Sequence, residues 1–347
     1  MPSEHVGVAM SGGLDSTVAA LLLKEQGYEV HGFFMLLPLP DLEKQVEGVR
    51  SVANQLDLPL ELIDLRQKFH NEIIVPFVRE YGAGRTPNPC VQCNAGIKFG
   101  NLLDAMDQYQ VTRMATGHYA RICRVNHGFA LFQGSDPNKD QSYFLCRLSR
   151  ERLSRLLLPL GGWTKDQVRD KARRAGFTFA AKESQDVCFT SGRLEHFLHQ
   201  HALPYESGDI VDTSGRLLGR HTGLWRYTIG QRRGLGLPDR TPWYVLRLEP
   251  AHNRLVVGKE EELYQREVCL VSIHWLVPRP RLPWRGKVRL RSRQEAATVT
   301  VDLKEDGLRL LFEQPQRAVT PGQYAVLYQG EQVIASGVII QPREQLS

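Results

Sequence analysis

Through residues 5–116 short apolar runs alternate with stretches of helical spacing. Residues 5–10, 28–35, 60–65 and 112–116 read as buried strands; 17–26, 41–56, 69–81 and 98–108 read as helices. In 41–56 the apolar set Leu42, Val46, Val49, Val52, Ala53 and Leu56 falls on one helical face. Gly27 is placed to stop the first helix, and Pro76 is expected to kink or break the third. Strands alternating with helices predict a parallel sheet covered on both faces. Ligands of such sheets bind beyond the carboxyl ends of the strands.

Residues 121–132 read as a hairpin around Asn126-His127-Gly128, and 148–203 as mainly helical and basic. After Pro204 the texture changes to short β-branched runs (209–212, 243–248, 255–257, 287–291, 298–301, 308–312, 324–328 and 333–340). Ser214-Gly215, Asp306-Gly307 and Pro321-Gly322 supply turns between them. The expected fold class is α/β followed by all-β. A doubly wound parallel-sheet domain fills 1–203, a small central β module 204–269, and a C-terminal β-barrel 270–347.

Composition narrows the classes. The chain has 347 residues, 42% hydrophobic and 24% charged, which fits a globular protein and excludes disorder, collagen and coiled coil. No apolar run approaches the length of a membrane span, so no membrane role is expected. No basic segment followed by an apolar core marks the N-terminus, so a reducing cytoplasmic location is expected and the six cysteines are read as thiols, metal ligands or catalytic groups. The net charge is +6, but residues 268–294 carry Arg279, Arg281, Arg285, Lys287, Arg289, Arg291 and Arg293 without an acidic residue. That segment holds +7 and the rest −1 (6 − 7), which points to a polyanionic partner, nucleic acid first. Lys287, Arg289, Arg291 and Arg293 alternate with other residues, so period 2 would put all four on one strand face, a ladder that repels itself without an anion.

Two segments carry candidate chemistry. Ala9-Met10-Ser11-Gly12-Gly13-Leu14-Asp15-Ser16 runs from a strand through a glycine turn into a helix. Its glycines admit an anion to the backbone, its serines add donors, and the helix start adds positive potential. It lacks the Gly-Lys-Ser/Thr ending of a Walker loop. The second is Arg85-Thr86-Pro87-Asn88-Pro89-Cys90-Val91-Gln92-Cys93, in which two prolines stiffen the approach to a Cys-x-x-Cys. At a helix start, with Lys98 nearby, such thiols are expected to have lowered pKa values. Cys188 follows in Ser184-Gln185-Asp186-Val187-Cys188, where Asp186 could move a proton. Cys90, Cys93 and Cys188 could instead hold an iron–sulfur cluster. Cys123, Cys146 and Cys269 lie in apolar contexts and read as core.

Ser11-Gly12-Gly13-Leu14-Asp15-Ser16 resembles the pyrophosphatase loop of N-type ATP pyrophosphatases, which adenylate a carbonyl oxygen. Together with the cysteine segments, Asn138-Lys139-Asp140-Gln141-Ser142-Tyr143-Phe144-Leu145 and Tyr227-Thr228-Ile229-Gly230-Gln231, the whole chain resembles tRNA-specific 2-thiouridylases. The resemblance implies an adenylation domain at 1–203 and an RNA-binding barrel at 270–347. It implies ATP with Mg²⁺ as cofactors, the ATP lined by Ala9, Met10, Ser11, Gly12, Gly13, Leu14, Asp15, Ser16, Met35 and Gly117. Cys188 would carry a persulfide and Cys93 would attack or resolve it, ending in a Cys93–Cys188 disulfide that a reductant reopens. Asn88, Pro89 and Cys90 would approach the target base; His118, Lys139, Asp140, Gln141, Arg291, Ser292 and Gln323 would contact tRNA. The implied partners are tRNAs for Lys, Glu and Gln with a wobble uridine, and a persulfide donor such as a cysteine desulfurase or sulfur relay protein. Residues 36–40 are shorter here than the acidic segment many members carry. The competing readings are an amidotransferase-type synthetase, which leaves the cysteines and basic barrel idle, and a cluster-dependent tRNA thiolase.

Overall fold

The computed structural model describes residues 4–126, 128–179, 187–190, 192, 194–201, 203 and 205–341. They form two units: Met1–Ile73 with Cys90–Ser191 and Glu331–Ile334, and Ile74–Pro89 with Gly192–Gly330 and Ala335–Ser347.

The first unit contains β1 (His5–Ala9), β2 (Glu29–Leu36), β3 (Leu60–Asp64), β4 (Arg113–Ala115), β5 (Ala120–Val125), β6 (Gly128–Gln133) and β7 (Leu156–Leu157). Five of these make a parallel sheet in the order β3-β2-β1-β4-β7. Val6 and Val8 are fully buried against Val18, Leu22, Val49 and Val168, from helices Leu14–Glu25, Leu42–Gln55 and Lys165–Arg174. Gly7 faces the other way, where an added Cβ would lie 2.9 Å from Met106 and 3.0 Å from Val111. Both faces are therefore covered, as the apolar strands require. The chain runs outward from β1 through β2 to β3 and then returns to place β4 on the other side of β1. That reversal is the topological switch point, where open sheets of this kind leave a crevice.

Local chemistry explains the element ends. Helix Leu14–Glu25 closes with Gly27 N donating to Lys24 O at 3.0 Å and Tyr28 N to Leu23 O at 3.1 Å, a Schellman pair. Pro76 does not break its helix. It sits in the first turn of helix Val75–Gly82, where its missing N–H costs nothing, directly after a π-turn over His70–Ile74. The stretch 148–203 is less helical than its composition predicts: Arg150–Ser154, Lys165–Arg174 and Leu194–Gln200 are helices, but Leu156–Leu157 adds a strand to the sheet. Pro159 and Gly161-Gly162 interrupt the helical run between them.

The second unit holds β8 (Gly208–Val211), β9 (Leu217–His221), β10 (Tyr244–Glu249) and β11 (Arg254–Gly258), a sheet in the order β10-β11-β8-β9 around Ile210, Val245, Leu255 and Val257. It also holds β12 (Tyr264–Trp275), β13 (Trp284–Arg289), β14 (Ala297–Lys304), β15 (Gly307–Arg317), β16 (Tyr324–Gln329) and, from Ala335 onward, β17 (Gln332–Ile340). These run β12-β15-β14-β13-β16-β17, and β17 pairs back to β12 with Cys269 opposite Ile340, closing a six-stranded barrel. The α/β architecture followed by β-barrels matches the expected fold class. β12 runs through 269/270, where composition placed a boundary. Among the described residues no helix is long and apolar enough to cross a membrane.

Candidate active site

The loop after β1 is shaped by its own hydroxyls. Ser16 Oγ accepts from Ser11 N at 3.1 Å and lies 3.1 Å from Ser11 Oγ, while Thr17 Oγ1 donates to Gly13 O at 2.9 Å. Gly13 is the N-cap and has no side chain to cap the first turn, which leaves that turn's N–H groups to an anion. Gly117, just beyond β4, packs so closely that a Cβ would fall 2.6 Å from the Asp15 carbonyl carbon and 2.8 Å from Ser16 N. Met35, at the end of β2, lies opposite Ile63 of β3. Ala9, the loop residues, Met35 and Gly117 thus collect at the carboxyl ends of the sheet.

Two residues that sequence reasoning passed over complete this loop. Lys165 Nζ reaches both Asp15 carboxylate oxygens at 2.9 Å, and Tyr119 Oη donates to Asp15 Oδ1 at 2.7 Å. Lys165 is only 7% exposed, and its ammonium also lies 5.7 Å from the centre of the Tyr119 ring. It starts a helix capped by a reciprocal Thr164–Gln167 box, and its own N–H donates to Asp136 at 3.0 Å. Thr164-x-x-Gln167 was the legible signal: it places Lys165 at the first position of a helix.

The structure brings the three thiols together. Cys90, Cys93 and Cys188 are free, and each raises the pKa of another or is raised by it, with Lys98 opposing the rise at all three. The expected lowering is overturned. Burial pushes Cys93 up to about 12 and Cys188 up to about 11, and also raises Cys90. Cys93 is half-buried and the other two reach solvent, so the effect is strongest for Cys93. The helix start is outweighed because Cys93 lies one turn inside, at the head of a π-helical stretch Cys93–Leu102. Cys146 and Cys269 are buried as expected, and Cys123 is half-buried. Ser184, Gln185 and Asp186 lie outside the described residues. The cluster alternative does not fit: among the described residues no group of three His, Cys, Asp or Glu is placed to hold a metal ion.

His118 links the thiols to the loop. It is 8% exposed, its Nδ1 lies 2.7 Å from Thr116 Oγ1, and burial first, then the Lys98 charge, hold it well below the usual 6.5. It is therefore a neutral imidazole beside Gly117, which packs on Asp15.

Family models match along the chain: a tRNA methyl transferase HUP domain at residues 4–192, a tRNA methyl transferase PRC-barrel domain at 195–259 and an aminomethyltransferase beta-barrel domain at 265–339. Among curated relatives, the tRNA-specific 2-thiouridylase MnmA of Desulfotalea psychrophila is 45% identical over 96% of this chain and 98% of its own. The protein of that name from Acidithiobacillus ferrooxidans is 45% identical over 98% and 99%, and that of Syntrophomonas wolfei 43% over 96% and 99%. The chain belongs to the tRNA-specific 2-thiouridylase family.

Within a 2-thiouridylase the residues expected to meet RNA divide by how they are held. Asp140 accepts from Gly134 N, Ser142 N and Ser142 Oγ, at 2.9 to 3.0 Å, and Gln141 exchanges two hydrogen bonds with the Tyr119 backbone. Their polar groups build the turn, while Lys139 beside them is half-buried. Asn88 is half-buried between the buried Pro87 and Pro89. The four-charge ladder on one strand is corrected: β13 ends at Arg289, so Arg291 and Arg293 leave the strand. Arg285 pairs with Glu313, Arg289 lies over the Tyr328 ring at 5.2 Å, and Arg291 donates to Ala318 O and Thr320 Oγ1. Lys287 is exposed and Ser292 half-buried; Gln323 Nε2 donates to Thr86 O at 2.7 Å.

Proposed function

We propose that this 2-thiouridylase adenylates O2 of the wobble uridine of tRNA with ATP and replaces that oxygen with sulfur carried on Cys188. The observation that supports the reading most is the continuity of Lys98, which acts on all three thiols and on His118, next to the glycine that seats the phosphate loop.

Carbon 2 of uracil is a poor electrophile. Attack of O2 on the α-phosphate releases pyrophosphate and turns that oxygen into a leaving group. The first-turn N–H groups and the Ser11 and Ser16 hydroxyls would hold the phosphates, and Met35 and Gly117 would line the nucleotide. Asp15 is the loop's one carboxylate, so it would be the protein's ligand to a Mg²⁺ that neutralises phosphate charge; its pairing with Lys165 and Tyr119 leaves that ion to take its other ligands from the phosphates and water.

The terminal sulfur of a Cys188 persulfide then supplies the new C2–S bond, and AMP leaves with the oxygen. Either Cys93 first cleaves the persulfide and frees sulfide, or the persulfide attacks and Cys93 resolves the adduct; both form the Cys93–Cys188 disulfide. With its pKa raised to about 12, Cys93 waits as a thiol, so a base must take its proton before it acts. Asn88, Pro89 and Cys90 would approach the extruded base. Lys139, Lys287 and Arg289 would meet the phosphate backbone. The partners would be tRNAs for Lys, Glu and Gln and a persulfide donor protein, in the cytoplasm.

The test is incubation with ATP, unmodified tRNA bearing a wobble uridine, and a persulfide donor. AMP, pyrophosphate and 2-thiouridine are expected in equal amounts; ADP and phosphate would sink the adenylation step.

A further inference from the structure

Sulfur transfer as read above uses one thiol of Cys90-Val91-Gln92-Cys93 and leaves the other without a bond to make. The fold sets the two side by side, within the first unit. Pro89–Gln92 is a single α-helical turn, and Cys93 opens the π-helical stretch that continues it. Residues three apart on a helix sit about 60° from one another around the axis, with Cα atoms about 5 Å apart, inside the span a disulfide bridges. Val91 and Asn94, at the same spacing one position on, are buried, and Asn94 Nδ2 donates to Phe144 O at 3.1 Å. The inner face is thus pinned. On the other face Cys90 is exposed and Cys93 half-buried.

The third thiol has its own anchor. Cys188 is exposed in a turn where Thr190 N and Thr190 Oγ1 both donate to Val187 O, at 3.1 and 2.9 Å. Phe189 beside it is buried, its ring edge-on to Phe69 at 5.6 Å. Charge on Cys90 raises the Cys188 pKa, and charge on Cys188 or Cys90 raises that of Cys93, so each thiol lies within electrostatic reach of the other two.

We infer that Cys90 is the thiol that resets the catalytic cycle: it attacks Cys93 Sγ in the Cys93–Cys188 disulfide left by sulfur transfer, forms a Cys90–Cys93 disulfide and frees Cys188 for the next persulfide. The inference rests on the thiolation reading above. The exchange needs no oxidant. One S–S bond breaks and one forms, the Cys90 proton passes to water, and Cys188 leaves as the thiolate. A dithiol reductant then gives two electrons and two protons to the Cys90–Cys93 bond and is itself oxidised to a disulfide. The leaving groups set the direction. Expelling Cys188, with its pKa at about 11, is easier than expelling Cys93 at about 12, so attack falls on Cys93 Sγ. Lys98 lowers the Cys188 pKa and so favours the departing thiolate. Cys90 also acts within the chain, at an effective concentration on the order of millimolar, and it is the member of the Cys-x-x-Cys pair that a reductant reaches from solvent.

The test uses the full chain, loaded with persulfide and given ATP and one equivalent of unmodified tRNA without reductant. The reaction is quenched by alkylation, and mass spectrometry of the digest reads which thiols are bonded; a sample without ATP supplies the background. Wild type should end with Cys90–Cys93 bonded and Cys188 alkylated, whereas Cys90→Ser should stop at Cys93–Cys188. With persulfide donor in excess and dithiothreitol limiting, the steady-state rate divided by the same protein's single-turnover rate should fall about tenfold in Cys90→Ser. That ratio cancels any effect of the serine on the fold or on the approach to the base. An unchanged ratio would overturn the inference, and so would a Cys90–Cys188 disulfide in wild type. Wild type that forms no 2-thiouridine would overturn the thiolation reading and this inference with it; active wild type that ends at Cys93–Cys188 would overturn the inference alone and leave that disulfide to the reductant directly.

Discussion

The hydroxyl bonds that shape the phosphate loop join residues two to five positions apart, whereas the Gln323 bond that fixes Thr86 spans 237. One region carries its geometry in its own sequence. The other borrows it from the far end of the chain. A self-contained loop can be reused with many substrates, because any strand and helix that frame it reproduce it. A segment tethered at long range is specific to its barrel, and the tether is where selectivity for one base of one RNA can be built. Lys165 and Tyr119 are the exceptions within the loop, since they reach Asp15 across 150 and 104 positions.

The largest effects should come from the thiols. Cys188→Ser is expected to lose both persulfide loading and thiolation, and Cys93→Ser to load normally but form no product; mass spectrometry of the intact protein and of digested tRNA reads both. Retained activity in either would mean the long-range region does not carry the sulfur chemistry.

Next is the longer-range of the two exceptions in the loop. Lys165→Met removes the cation that holds Asp15 and should slow AMP formation on the order of 10²-fold, with tRNA affinity unchanged. An unaltered rate would reduce Lys165 to a packing residue and leave Tyr119 as the loop's remaining long-range bond to Asp15.

The thiol environment gives a pH test. With Cys93 raised to about 12 and Cys188 to about 11, thiolate content grows with pH throughout the neutral and mildly alkaline range. Alkylation of either should therefore accelerate about tenfold per pH unit from 7 to 10 without a plateau. A plateau near neutrality would restore the helix-start lowering expected from sequence.

On the barrel, Lys287→Ala should weaken tRNA binding and flatten its salt dependence by about one unit of slope or less. Arg291→Ala should instead lower thermal stability, since that guanidinium holds the 318–320 turn. The smallest effect belongs to His118. Its folded pKa lies below 6.5, so unfolded protein binds more protons as the medium acidifies. The stability it contributes is complete above pH 6.5 and declines below it; His118→Gln should make the melting temperature less dependent on pH in that window.

How far the residues announced all this follows from the same contrast. The β1 loop, its parallel sheet and the Cys-x-x-Cys were legible because strand period, glycine turns and proline stiffening are local signals. The raised thiol pKa values were not, because they depend on what the fold packs around Cys93. The basic ladder failed for a related reason: alternation shows which residues share a face, not where the strand stops, and β13 stops at Arg289. The resemblance names Asp140 and Gln141 as RNA contacts but did not announce their bonds within the fold: Asp140 holds its own turn, and Gln141 ties that turn to the Tyr119 backbone.

The closure of the C-terminal barrel also sets an order of events during synthesis. Its first strand, Tyr264–Trp275, finds its closing partner only in Ala335–Ile340 of β17, the sixth strand of the barrel. The ribosome hides the most recently joined residues, so the barrel cannot seal until Ala335–Ile340 has left the exit tunnel. The parallel sheet needs nothing beyond Leu157 to pair all five strands and can form much earlier. Translation therefore delivers a nascent enzyme whose nucleotide loop is shaped before the Pro321–Gln323 turn exists to grip Thr86.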